Sequence, residues 1–93
     1  SEDRPLGSVI SSLLFEKEVS ERKKILITGS GHSEEFPKGS SASRARVTSK
    51  PIVDDGKNLR GYSADVVILL SEVPDSVREE VISPMRAEVI QLY

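Results

Sequence analysis

The chain has 93 residues, with 13 Lys and Arg against 15 Asp and Glu for a net charge of -2, and it lacks cysteine. That length sets the expectation of one small domain near the lower limit of what folds without staples. The missing cysteines rule out disulfides and thiolate metal sites. No apolar run approaches the roughly 20 residues of a membrane span. With 37% apolar and 30% charged residues the composition is that of a globular domain, and Ser1-Glu2-Asp3-Arg4-Pro5 carries no secretory pattern. A cytoplasmic protein, off the membrane and of open oligomeric state, is the expectation.

Pro5 can open a helix, and Val9, Ile10, Leu13 and Leu14 then form one apolar stripe. Beyond the cluster Glu21-Arg22-Lys23-Lys24, the run Ile25-Leu26-Ile27-Thr28 predicts a short strand stopped by Gly29 and Gly31. Residues 30–43, rich in Gly, Ser, Pro and charge, predict a long flexible surface loop. Ala45 and Val47 alternate with Arg44, Arg46 and Thr48, which predicts a half-exposed strand whose wet side is basic. Pro51 marks its end as an edge or a bend. Asp54-Asp55-Gly56-Lys57-Asn58 predicts a turn, with Gly accepting positive φ and Asp capping it.

The stretch from Leu59 to Glu72 is the most informative. An Arg60-Gly61 turn feeds an apolar run within Ala64–Leu70, the pattern of a buried, parallel strand. Glu72 then stands just past its exit, where open α/β sheets place their ligands. Pro74-Asp75-Ser76 opens a helix, with Glu79 three residues after Ser76 at capping-box spacing. Val77, Val81 and Ile82 give that helix a buried face, and Ser83-Pro84 ends it. Residues 85–93 fit either a helix or a strand. No internal repeat is present.

Charge is unevenly spread. Residues 38–60 carry Lys38, Arg44, Arg46, Lys50, Lys57 and Arg60 against Asp54 and Asp55, whereas residues 61–93 carry six carboxylates against Arg78 and Arg86. A basic centre fits either a phosphate-facing surface or an ordinary solvated face, and no aromatic residue interleaves the cations to make a stacking platform.

Two sets of residues are candidates for chemistry. Arg44 and Arg46, with Lys50 in register, can form a phosphate contact row together with Arg60, although charge on an edge strand also guards against aggregation. A strand-end site can form from Gly29, Gly31, His32 and Glu72. Gly29-Ser30-Gly31 follows a strand as phosphate-cradling loops do, but it lacks the third glycine of a dinucleotide fingerprint, and Pro37 interrupts the helix that should follow. Lys38-Gly39-Ser40 has the P-loop residues in the wrong order. His32 lies beside Ser33, Glu34 and Glu35 without a ligand spacing of the transition-metal kind, and Asp54-Asp55-Gly56 lacks the calcium-loop pattern. The expected metal and cofactor complement is none.

Phe36-Pro37-Lys38-Gly39-Ser40, then Arg44-Ala45-Arg46, then Leu59-Arg60-Gly61-Tyr62-Ser63-Ala64-Asp65-Val66-Val67-Ile68-Leu69 resembles the Walker B region of large-terminase-type phage DNA-packaging ATPases. Pro74-Asp75 and Ile82-Ser83-Pro84-Met85 extend the resemblance, which covers residues 36–86. It implies an ATPase-derived fold with Glu72 at the place of the catalytic glutamate. Leu70-Ser71-Glu72 supplies no counterpart to the magnesium-side aspartate, and no Walker A lysine precedes it. Without those groups the phosphoryl-transfer transition state has nothing to stabilise it, so the resemblance implies a fragment or a degenerate relative and not a working ATPase.

These readings set the expectation of an α/β or α+β domain with about three strands and two or three helices. Its core draws on Ile10, Leu13, Leu14, Ile25, Ile27, Val47, Val66, Ile68, Leu70, Val77, Val81 and Val89. The leading functional expectation is a non-catalytic nucleic-acid-associated or interaction module. A small enzyme or nucleotide-binding domain working from the strand ends, and a protein-partner domain without a ligand, are the alternatives.

Overall fold

The aliphatic runs assemble into a four-stranded sheet in the computed structural model, which describes residues 23–29 and 46–93 together with Val9, Ser12 and Phe15. The strands are β1 (Lys24–Gly29), β2 (Arg46–Pro51), β3 (Val66–Leu69) and β4 (Glu88–Gln91). Their order is β2-β1-β3-β4, and every pairing is parallel. The architecture is therefore α/β, with four strands among the described residues where about three are expected. The additional strand comes from the 85–93 segment, where the apolar pair Val89-Ile90 is too short to reveal its period.

Parallel strands inside a sheet are covered on both sides and carry continuous aliphatic runs. In β3 all four residues are buried, and in β1 only Lys24 is exposed. Alternation divides the core into two layers. Leu26, Val67 and Leu69 pack with Leu59, Val73, Val77, Val81 and Ile82, while Ile25, Ile27, Val66, Ile68 and Ile90 form the other layer. Val89, expected in the core, is 39% exposed, whereas Ile90 is buried. On the outermost strand a one-residue difference in phase exchanges the wet and dry side chains. Val47 and Leu70 are half-buried at the margin of the second layer. Val9, Ser12 and Phe15 are helical; the expected stripe residues Ile10, Leu13 and Leu14, and the 30–43 loop, lie outside the described residues.

Between β2 and β3 the chain makes a 3₁₀ turn over Asp54–Leu59, in which Asp54, Asp55 and Gly56 have φ of 50°, 54° and 83°. Asp tolerates this left-handed region better than most residues. At Gly56 a side chain would also be crowded, since a Cβ there would lie 3.0 Å from Val81 Cγ2. The turn is held by Asn58 and not by an aspartate cap. Asn58 Oδ1 accepts from the Val53 N–H at 3.0 Å, and Asn58 Nδ2 donates to the Pro51 carbonyl at 2.8 Å.

After β3 a short α-helical turn, Asp75–Val77, passes into a π-helical segment, Arg78–Ile82, and a 3₁₀ turn, Ser83–Met85. Pro74 is the N-cap and makes no side-chain cap bond, so the Ser76/Glu79 capping box does not form. Pro84 does not end the helical path as expected, because proline is tolerated in the first turn of the closing 3₁₀ segment. The path ends instead at Arg86, which is left-handed with φ 54°. Val77, Val81 and Ile82 face the sheet, as their spacing predicts.

Candidate nucleic-acid interface and strand-end crevice

The β1–β2 register sets the basic row. Lys24 pairs with Arg46 and Thr28 with Lys50, so alternation puts Lys24, Arg46 and Lys50 on the sheet face that also carries Leu26. Arg46 and Lys50 are exposed, and β2 is an outer strand of the described sheet. No ion pair to either side chain occurs among the described residues. Arg44 lies outside them. Arg60 is not in this row. Its guanidinium reaches Glu80 at 3.5 Å, with the two side chains 58% and 64% exposed, a pair too solvated to fix either group firmly.

Tyr62 joins these groups. Lys24 Nζ lies 5.1 Å and Lys50 Nζ 5.4 Å from the centroid of its ring, within range of attraction to the aromatic quadrupole. Lys24 Nζ also stands 3.5 Å from Ser63 Oγ. The aromatic residue that sequence spacing does not show among the cations is thus supplied through space. The start of β1 is fixed by Asp65, whose Oδ2 accepts from the Lys24 N–H at 2.8 Å while its own N–H donates to the Lys24 carbonyl at 2.8 Å. Lys24 and Tyr62 have no local signal linking them; only the sheet register brings them together.

Tyr62 also borders an open cleft of about 690 Å³ lined by Arg60, Gly61, Ser63, Glu80, Val81, Pro84 and Met85 as well. The loop entering β3 forms one wall, and the π and 3₁₀ segments form the other.

The second region lies at the carboxyl ends of β1 and β3. The chain leaves β1 for a neighbour on one side, and it leaves β3 for a neighbour on the other. This reversal is where open parallel sheets form a crevice. Gly29 closes β1 there with φ 153°, and a Cβ on it would sit 2.9 Å from Ser71 Oγ and 3.1 Å from the Ser71 amide nitrogen. The Ile52 N–H donates to the Gly29 carbonyl and the Leu70 N–H to the Thr28 carbonyl, each at 2.9 Å. Glu72 is exposed and shares a pocket of about 220 Å³ with Ile52, Asp55, Val73, Pro74 and Val77. Gly31 and His32 lie outside the described residues. Beside Gly29, Thr28 is fully buried, and its Oγ1 has no hydrogen-bond partner among the described residues.

Among the described residues no group of three or more His, Cys, Asp or Glu side chains could hold a metal ion, and no helix is long and apolar enough to cross a membrane. No family model, curated protein or solved structure matches this chain. The fold and the two regions define a small parallel α/β domain with a basic edge and a strand-end crevice.

Proposed function

We propose that this domain is a non-catalytic, nucleic-acid-associated module that meets phosphates along the β2 edge through Arg46 and Lys50, with Lys24 beside them. The observation that carries this reading is the register that sets Lys24, Arg46 and Lys50 on one sheet face, with Lys24 and Lys50 at the Tyr62 ring. Cations of this kind position a polyanion through its backbone and carry little sequence information. The resemblance to packaging ATPases accords with it: Val66–Leu69 is a buried parallel strand, and Ser71-Glu72 follows it without the paired carboxylates of a magnesium site. A degenerate relative would keep its nucleic-acid surface without the phosphoryl-transfer groups.

The test is fluorescence anisotropy with a mixed-sequence DNA duplex and a single strand, at low and at physiological salt. Three phosphate contacts predict a slope of log K against log salt of about -2 to -3. Arg46→Ala and Lys50→Ala should each weaken binding to all sequences and reduce that slope by about 1. Absence of binding to either nucleic acid at low salt would overturn the reading.

A second reading is favoured by the reversal of strand order at β1 and β3: a small-molecule site in the crevice beside Gly29, with Glu72 at its rim. It predicts saturable binding of a small ligand that is lost on Glu72→Ala and insensitive to Lys50→Ala, read by thermal-shift screening followed by titration.

A further inference from the structure

The cleft and the basic row share one side chain. Tyr62 has Lys24 and Lys50 at its ring and also lines the cleft of about 690 Å³, a size within the range of roughly 300–1,000 Å³ that holds small organic groups. Its lining combines apolar carbons from Val81, Pro84 and Met85 with polar groups from Arg60, Ser63 and Glu80. A flat heteroaromatic ring with polar edges suits such a lining, because its faces need apolar contact and its edges need hydrogen bonds. The wall bearing Glu80 and Val81 is a π-helical segment, a rare geometry that recurs at functional sites. Arg60 and Glu80 are exposed and weakly paired, so each can turn from the other to a base edge.

Resting on the nucleic-acid reading above, we infer that the ligand class is single-stranded nucleic acid, its phosphates on Arg46, Lys50 and Lys24 and one unpaired base in the Tyr62 cleft. In a duplex the bases are stacked and paired, so one can enter a side cleft only after being unstacked. A single strand has its bases available, and seating one adds to affinity with little dependence on sequence.

The experiment titrates the protein into single-stranded DNA, single-stranded RNA and duplex DNA of equal length at low salt. A second single strand carries 2-aminopurine as a reporter of base environment. The expected result is at least tenfold tighter binding of single strands than of the duplex, with a change in 2-aminopurine fluorescence on binding. Ser63→Trp, at an exposed position on the cleft wall, should fill the cleft and abolish both the preference and the fluorescence change. Lys50→Ala should weaken both ligands alike. A salt-sensitive affinity that is equal for duplex and single strand, and unmoved by Ser63→Trp, would overturn this inference while the basic edge stands. Failure to bind either ligand would overturn both. If circular dichroism shows that Ser63→Trp does not fold, the 2-aminopurine response of the unmodified protein decides: an unchanged signal at saturation overturns the base seat.

Discussion

At Gly29 a single hydrogen atom decides whether β1 and the β3 exit can approach. The Cβ of alanine would meet Ser71 Oγ at 2.9 Å, and the backbone φ of 153° disfavours any side chain. Gly29→Ala is expected to cost about 1–3 kcal/mol, from strain and local displacement together, read as a lower urea midpoint at unchanged m value. Its neighbour Thr28 carries the opposite liability, a fully buried hydroxyl without a partner among the described residues. Replacing that hydroxyl by a methyl group removes the desolvation penalty and keeps the shape, so Thr28→Val should stabilise the fold by about 1 kcal/mol. A loss of stability in that variant would mean that the hydroxyl is engaged in solution. At Asn58 two hydrogen bonds tie the 3₁₀ turn to the end of β2; Asn58→Ala should cost about 1–2 kcal/mol in the same denaturation experiment.

The strands and the helical segment were legible to unequal degrees. Ile25–Thr28 and Val66–Leu69 read as strands because interior parallel strands are aliphatic on both faces, and Gly29 and the Arg60-Gly61 turn delimit them. β4 was not legible, since an outer strand with Glu88 and Gln91 flanking two apolar residues has no distinctive period. The capping box was a false signal: Ser76 and Glu79 have the correct spacing, but Pro74 opens the helix one residue before Asp75, leaving Ser76 inside it. Pro84 misled for a similar reason, because it opens a 3₁₀ segment instead of closing the helical path. Of the candidate site residues, Arg46 and Lys50 share one face of β2 by alternation, which their spacing shows, whereas Lys24 and Tyr62 come close to Lys50 only through pairing between distant strands. At this scale Asp65 is the critical join. It accepts the Lys24 N–H, donates to the Lys24 carbonyl and accepts the Glu88 N–H through its own carbonyl at 3.0 Å. Asp65→Ala removes only the side-chain bond, and the expected cost is about 1–2 kcal/mol, with amide exchange accelerated first at Lys24.

Across the whole molecule, Leu26, Val67 and Leu69 are fully buried between sheet and helical segment. Truncating one of them, as in Leu69→Ala, should cost about 2–5 kcal/mol, a large share of the stability of so small a domain. Calorimetry would register it as a fall in melting temperature with no change in ligand preference, which separates a core defect from a defect of the basic edge. The arrangement of the centre also has a consequence in time. Its two interior strands, β1 and β3, are joined across 41 residues at Lys24 and Asp65, and closing a loop of that length carries a length-dependent entropy of about 3 kcal/mol. Few local contacts can reward the chain before that closure, so folding waits on a distant meeting. β1 must stay unpaired with β3 until the chain through Leu69 is present, and in that interval only β2, which pairs with it from Lys24 and Arg46 onward, can cover an edge of the aliphatic run Ile25-Leu26-Ile27. Its flanking Lys23 and Lys24 put like charge beside that run, which disfavours the approach of a second copy.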